Sequence, residues 1–349
     1  MNSSSRSSIV VNGRFATRRM TGVQRYAHEI VARLGNRCHV LSTNAREGIH
    51  GHRWEQTALP LMCRNRLLWS PCNTGPLMVR RQVVTIHDMA FQDTPDCFGR
   101  AFSTWYRFLI PRLARRVVRV VTVSEYSRLR IAELTNLDLK QIAVVPNGVD
   151  ARFKPADPTA IEEVRRKCDL AGPYVLVLGS VQPRKNLIAL LQAWRMIQRE
   201  RSDLTLAVAG AVDLSLYGTH GMSAASVPNV RRLGYVDDEA LPALYTGAEA
   251  FVFPSIYEGF GLPPLEAMAC GAAVICSNAT SLPEVVGDAG ILVGPNDINA
   301  MADAILRVTS DPALRRSLGE SGRRRAELFT WESAAERTWQ VLACAAAEN

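Results

Sequence analysis

Ala250-Phe-Val-Phe-Pro254, followed after three intervening residues by Glu258-Gly-Phe-Gly-Leu-Pro-Pro-Leu-Glu266, decides how this chain folds. The apolar run before Pro254 reads as a buried parallel strand, continuously hydrophobic because both of its faces are covered. Gly259 and Gly261 let the backbone pass close to a ligand. Pro263 and Pro264 suit the opening of a helix, where a missing N–H leaves no partner wanting. The string therefore puts Glu258 in a loop at the strand's carboxyl end and Glu266 in the first turn of the following helix. Between them, backbone amides and a positive helix end make a seat for a diphosphate. Carboxylates beside that seat accept hydrogen bonds from sugar hydroxyls. Taken alone, Glu266 reads equally as an acid that complements the helix dipole.

Outward from this string, short apolar strands alternate with helical stretches, the signature of parallel α/β sheets. In the first half strands are expected over residues 9–11, 39–42, 83–87, 118–123 and 142–145. A helix opens near Thr21-Gly22, with Val23, Tyr26, Ala27, Ile30 and Leu34 on one face. Pro146-Asn-Gly-Val-Asp150 and Lys154-Pro-Ala-Asp-Pro158 form the turn-rich linker. A second unit starts at Tyr174-Val-Leu-Val-Leu-Gly179, and its next helix carries Leu187, Leu190, Leu191, Trp194 and Ile197 at helical spacing. Further strands are expected over 204–209, 230–233, 250–253 and 273–276, and the tail from Asp297 reads as two or three helices. The expected domains are 1–168, 169–330 and a C-terminal helix over 331–349.

Several polar residues fall at the ends of these strands, where open parallel sheets bind ligands. Arg184 and Lys185 follow the strand ending at Gly179. A planar guanidinium and a point-charge ammonium suit two phosphates. His87 and Asp88 end the strand over 83–87, and Asn12, Gly13 and Arg14 come just after the first strand. A solvated loop and a structural histidine are the plainer readings of the first two groups. No D-x-D, G-x-G-x-x-G after a strand, G-x-x-x-x-G-K-[ST] or G-x-S-x-G occurs, which removes the main signs of a metal-chelating diphosphate site, an NAD enzyme, a P-loop protein and a serine hydrolase.

The nine-residue string resembles the E-x7-E motif of retaining GT-B glycosyltransferases of family 4, also called glycosyltransferase group 1. The resemblance implies an α/β chain of two Rossmann-like domains facing a cleft, a nucleotide-sugar donor, and no metal or other cofactor. It assigns the donor ribose to Glu266 and the donor sugar to Glu258, with Gly259, Phe260, Gly261 and Leu262 around the diphosphate. Gly179-Ser-Val-Gln-Pro-Arg-Lys-Asn186 resembles the family's P-R-K-N phosphate loop. Many relatives carry arginine where this chain has Ser180, so the diphosphate charge falls on Arg184 and Lys185. His87 resembles the cleft histidine beside the donor sugar, with Asp88 expected to orient its imidazole. Thr21-Gly22-Val23 resembles the glycine-bearing loop near the diphosphate, and Gly234-Tyr235-Val236 the segment whose backbone receives the base. Asn12, Gly13 and Arg14 are expected to define the acceptor. Gly271 and Ser281-Leu-Pro-Glu284 complete the C-terminal pattern, and in the family the last helix crosses back onto the first domain. The resemblance is strong over 174–295 and weak before it.

Val11-Asn-Gly-Arg-Phe15 and Thr21-Gly-Val-Gln-Arg-Tyr26 look like bacterial polysaccharide and lipopolysaccharide enzymes, often mannosyltransferases. GDP-mannose is therefore the expected donor, with UDP- and dTDP-sugars open, and a growing polysaccharide or lipid-linked glycan the expected acceptor. A sugar-nucleotide epimerase or hydrolase of the same fold and a non-catalytic nucleotide-sugar scaffold remain as rivals.

The 349 residues suffice for two domains, and 47% hydrophobic with 21% charged residues mark a globular chain. No apolar run approaches the ~20 residues of a membrane span, and the serine-rich start lacks a secretory signal's apolar core. Eight cysteines without a C-x-x-C pair argue against a zinc site or disulfide framework and for a reducing cytoplasm. The net charge of +8 is unevenly spread: residues 1–168 hold 27 Lys and Arg against 13 Asp and Glu, residues 169–349 hold 14 against 20. Nucleic acid and anionic membrane both fit a basic face. The block Phe102-Ser-Thr-Trp-Tyr-Arg-Phe-Leu-Ile-Pro-Arg-Leu-Ala-Arg-Arg-Val-Val-Arg119 favours the membrane, because it mixes aromatics, aliphatics and arginines as interfacial helices do. A core-facing helix with a solvated basic edge is its plainer reading. No nucleic-acid partner is expected, and the expected location is cytoplasmic, with peripheral docking on the inner face of the membrane.

Overall fold

The structure, a computed structural model, describes residues 8–18, 20–44, 48–179, 182–210 and 227–348. Two compact units make it up: Met1–Gly148 with Phe329–Asn349, and Val149–Leu328. The first holds six parallel strands, β1 (Ile9–Asn12), β2 (His39–Leu41), β3 (Leu67–Ser70), β4 (Gln82–Thr85), β5 (Arg119–Thr122) and β6 (Ile142–Val144), in the order β2-β1-β3-β4-β5-β6. The second holds β7 (Tyr174–Leu178), β8 (Thr205–Ala209), β9 (Val230–Gly234), β10 (Ala250–Phe253), β11 (Val274–Ser277) and β12 (Ile291–Val293), in the order β12-β11-β10-β7-β8-β9, again all parallel.

Both sheets reverse direction once. The first runs from β1 outward to β2 and returns to β3 on β1's other side; the second runs from β7 out to β9 and returns to β10. Such switch points leave a crevice outside the strand carboxyl ends, and they fix where each unit can build a site. β1, β3, β4, β10 and β11 are buried at every residue, as strands covered on both faces must be. β3 and β12 were not expected. Leu67-Leu-Trp-Ser70 is four residues long and follows Arg64-Asn-Arg66 without alternation. Pairing on both edges, with β1 and β4, makes it a strand.

The helix Gly22–Leu34 buries Gln24, Tyr26, Ala27, Ile30 and Leu34, so the expected face forms, with Gln24 in place of the half-buried Val23. Leu187–Ile197 buries Leu187, Leu190, Leu191, Trp194 and Ile197 as its spacing required. The first unit ends at Gly148 rather than residue 168. The helix Pro158–Lys167 packs on Leu241–Thr246, and the Ala156 N–H donates to Thr246 Oγ1 at 3.1 Å, so residues 149–168 belong to the second unit. The tail forms three helices, Ile298–Ser310, Pro312–Ala326 and Trp331–Ala347. The last returns to the first unit, packing on Gly22–Leu34. Arg33 Nε donates to Glu332 at 2.8 Å, Arg37 to Glu336 at 3.0 Å and Arg81 to the Ala346 carbonyl at 2.7 Å.

The basic block forms the helix Arg100–Ala114. Tyr106, Leu109, Ile110 and Leu113 enter the core, while Phe102 and Phe108 stay exposed and Arg112 lies over the Phe108 ring at 4.0 Å. Trp105 turns inward and donates to His52 Nδ1 at 3.3 Å. Among the described residues no helix is long and apolar enough to cross a membrane.

Candidate active site

In the second unit, Arg184 and Lys185 follow β7 and Glu258 follows β10, the two strands that flank the reversal. Lys185 Nζ lies 2.6 Å from Glu258 Oε1, and Arg184 Nη1 donates to Glu258 Oε2 at 3.1 Å and to the Tyr257 carbonyl at 3.0 Å. Arg184 Nε donates to Gln182 Oε1 at 2.8 Å, and Lys185 Nζ sits 4.8 Å over the Phe253 ring. Burial alone would raise the Glu258 pKa, but Lys185 and Arg184 outweigh it and hold the carboxyl below its ordinary value. Burial lowers the Lys185 pKa against the pull of the same glutamate. Side-chain exposures of 12–18% leave all three within a ligand's reach.

Local geometry fixes this cluster from two sides. Asn186, in the left-handed region at φ 56°, donates through Nδ2 to the Pro254 carbonyl at 3.1 Å and the Pro295 carbonyl at 2.7 Å. Ser281 Oγ lies 2.9 Å from both the Glu258 and Phe260 carbonyls, and Thr280 Oγ1 accepts from the Glu258 N–H at 3.1 Å. Gly261 has φ 119°, and a Cβ there would sit 2.8 Å from Leu282 Cδ2, so only glycine closes this loop. Ser180 lies outside the described residues.

One placement is corrected. The helix begins at Leu262, ahead of the prolines, and has no acidic residue in its first turn. Glu266 therefore stands in the second turn, where the dipole has largely fallen off, so dipole complementation does not account for it. It is 7% exposed, and Tyr245 Oη donates to its Oε2 at 3.4 Å. Tyr235 and Val236 follow β9, an edge strand, with Tyr235 72% exposed.

The first unit builds a different cluster at its own reversal. Asn12 ends β1 and Arg14 follows it; Pro71, Asn73 and Thr74 follow β3. Glu55, on the helix Ile49–Cys63, lies beneath both. Its Oε1 accepts from Asn12 Nδ2 at 2.7 Å and Thr74 Oγ1 at 3.0 Å, and its Oε2 from Arg14 Nη1 at 2.8 Å. Arg14 Nη1 also lies 3.1 Å from Thr74 Oγ1 and 3.0 Å from His52 Nδ1. Because His52 Nδ1 faces the donors Arg14 and Trp105, it accepts, and the ring proton belongs on Nε2. Among the described residues Arg14 Nε and Nη2 are buried without a partner, which costs ~1–3 kcal/mol per group. Gly13 is forced by packing, since a Cβ would meet the Leu41 carbonyl oxygen at 2.6 Å.

His87, two residues past β4, is 5% exposed. Its Nε2 lies 2.9 Å from the Pro71 carbonyl, which can only accept, so Nε2 carries the proton and Nδ1 the lone pair. Burial drives its pKa down to about 4 against that carbonyl, leaving a neutral ring at ordinary pH. The Tyr26 ring meets it edge-on at 4.8 Å. Pro71 orients Nε2, and Asp88 Oδ1 accepts from the Ala90 N–H at 3.0 Å. Gly22 opens its helix exposed, and Thr21 makes no side-chain cap.

Sequence reasoning missed Glu55, His52, Pro71 and Thr74 and gave Asn186 and Ser281 no structural role. For Glu55 a signal existed: it interrupts the buried stripe Gly51, Leu59 and Cys63 at helical spacing, where an acid needs a partner.

Comparison with known proteins agrees with this geometry. Residues 161–325 match the family described as glycosyl transferases group 1, and residues 49–153 match glycosyltransferase family 4. The O-antigen chain mannosyltransferase B of Escherichia coli is 36% identical over 267 residues, 75% of this chain and 70% of that protein. The serotype-specific mannosyltransferase WbdA of Escherichia coli is 31% identical over 240 residues, 65% of this chain but only 29% of WbdA. Anabaena Alr3699/HepE, solved with UDP and glucose, shares the fold at TM-score 0.77 and 17% identity, over 96% of this chain and 98% of that one. With two reversing parallel sheets and both family segments matched in order, the chain belongs to the group 1 transferases of glycosyltransferase family 4 and is a GT-B glycosyltransferase.

Proposed function

We propose that the chain moves mannose from GDP-mannose to a growing bacterial polysaccharide or lipid-linked glycan, with retention at the anomeric carbon. The observation that carries this reading is the Arg184–Lys185–Glu258 cluster at the β7/β10 reversal, closed by Gly261. Two cations there stabilise charge on a departing diphosphate, where preorganised electrostatics contribute most to rate. Glu258, ionised between them, accepts from the donor sugar's hydroxyls, and Glu266 from the ribose. The amides of Gly259 to Leu262 face the diphosphate, and the backbone at Tyr235 and Val236 takes the base. His87 is neutral, so it orients the sugar through Nδ1 rather than supplying a cation. The reaction is front-face: the glycosidic C–O bond to the diphosphate breaks, and the acceptor oxygen bonds the same face of an oxocarbenium-like sugar. The departing phosphate takes the acceptor's proton, and no metal is required. The mannosyl assignment draws on the named relatives.

On this reading the reaction runs at the inner face of the cytoplasmic membrane. Exposed Phe102, Phe108 and Arg112, with Arg115 and Arg116 at the helix end, support docking on anionic lipid. Replacing Arg112, Arg115 and Arg116 with Ser should lower partitioning onto anionic vesicles; unchanged partitioning removes the docking face.

The function is tested by nucleoside-diphosphate release from GDP-, UDP-, dTDP- and ADP-sugars, with chelator present and a lipid-linked glycan extract as acceptor. Release from GDP-mannose with glycan mass gain is the expected result. Gain from another donor corrects the sugar, and release without gain favours a hydrolase.

A further inference from the structure

The first unit's buried arginine is only half used. A guanidinium presents a side-on edge, Nε with Nη2, that grips two oxygens or converges on one. In Arg14 that edge has no partner among the described residues, while Nη1 alone serves Glu55, Thr74 and His52. Arg14 lines a recess of about 10 Å³, room for one oxygen, together with Arg18, Pro71 and Cys72. Glu55 does not close the edge: its oxygens accept from Asn12, Thr74 and Arg14 Nη1 instead. Burial holds the Cys72 thiol protonated, so it adds no negative charge. Arg14 and Arg18 against Glu55 leave the recess one positive charge in excess. The recess sits at the β1/β3 reversal, and its Pro71 also holds the His87 ring.

We propose that this recess takes an oxygen of an oxyanion carried by the acceptor, a carboxylate or phosphate, with Arg14 Nε and Nη2 as donors, Arg18 as the second charge and Glu55 as the residue that positions Arg14. The proposal rests on the glycosyltransferase reading of the chain and names the chemical class its first unit selects.

The test titrates the full chain by calorimetry, at fixed ionic strength, with inorganic phosphate, methyl α-glucuronide and neutral methyl α-mannoside. An oxyanion should bind and the mannoside should not, and whichever oxyanion binds more tightly identifies the source. Arg14→Lys keeps the charge but loses the fork and should weaken that binding by ~tenfold or more. Arg18→Ser, at a half-buried position, should weaken it by roughly threefold or more and decides the matter if Arg14→Lys melts early. Absence of oxyanion binding, equal binding of the mannoside, or unchanged affinity in the deciding variant overturns the proposal. So does phosphate heat that disappears in Arg184→Ala/Lys185→Ala but survives in Arg14→Lys, since it then belongs to the second unit's cations. Donor turnover is measured separately: its loss with oxyanion binding intact removes the transferase reading alone.

Discussion

The Arg14–Glu55 pair of the first unit and the Arg184–Lys185–Glu258 cluster of the second occupy matching places in their sheets, at the strand ends where the order reverses. Their surroundings differ. The Glu55 side chain is 1% exposed and rises from a helix beneath the strand ends, with every oxygen engaged. Glu258 stands in a loop, with side-chain exposures of 12% for itself, 18% for Arg184 and 15% for Lys185. The Arg14 Nη1–Glu55 contact, sealed even though the other edge of Arg14 borders a recess, ties its charge to stability, because losing one partner strands the other in low dielectric. A reachable cluster exchanges partners with a ligand, so its charge is felt in binding and rate.

Glu55→Gln should break the contrast most strongly. It leaves Arg14 buried without its counter-charge and should cost the first unit roughly 3–5 kcal/mol, read by hydrogen exchange at β1 and β3. Arg14→Met with Glu55→Leu should recover much of that loss; a mild effect of Glu55→Gln alone means the pair is less sealed than its burial implies.

Acid separates the units next. His87 takes a proton near its ordinary pKa of 6.5 in the unfolded chain but only at about 4 in the folded one. The unfolded state therefore binds more protons between these values, and first-unit stability should fall by about 3 kcal/mol as pH drops from 6.5 to 4. His87→Gln should lack that slope; a wild-type profile equally flat would mean the imidazole is not held neutral.

Lys185→Ala should lower turnover by ~10²-fold, about 2.7 kcal/mol of barrier, with little change in melting. A loss below threefold would take Lys185 out of the chemistry. Ser281→Ala sharpens the comparison most finely. Removing the hydroxyl between the Glu258 and Phe260 carbonyls should cost about 1 kcal/mol, seen as a roughly fivefold rise in donor KM. An unchanged KM would show that Gly261 and Thr280 hold the loop unaided.

Legibility followed the same divide. The second unit's cluster lies in two continuous strings, Gly179 to Asn186 and Glu258 to Glu266, each beginning where an apolar strand ends. Strand period and turn chemistry therefore placed Arg184, Lys185 and Glu258 correctly at carboxyl ends. Glu266 was misplaced by a turn because proline suits several early helix positions, and only the structure shows Leu262 entering first. The first unit's cluster draws on β1, the loop after β3 and a helix between them. Asn12, Gly13 and Arg14 were legible as strand-end residues, but their partner lies 41 positions from Arg14. β3 itself was missed because three apolar residues and a serine after a basic turn carry no period of their own.

By itself the sequence determined the parallel α/β class, the two units, the helical faces of Tyr26 and Trp194, and the acid-and-base composition of the second unit's site. These rest on local periodicity and on the backbone needs of glycine and proline, which neighbouring residues settle. Tertiary structure alone decided the boundary at Gly148, the neutral His87 held by Pro71, and the Glu55 pairing that leaves one edge of Arg14 without a partner among the described residues. Each depends on burial and on contacts between residues far apart in the chain, and desolvation and hydrogen-bond satisfaction exist only once those residues meet.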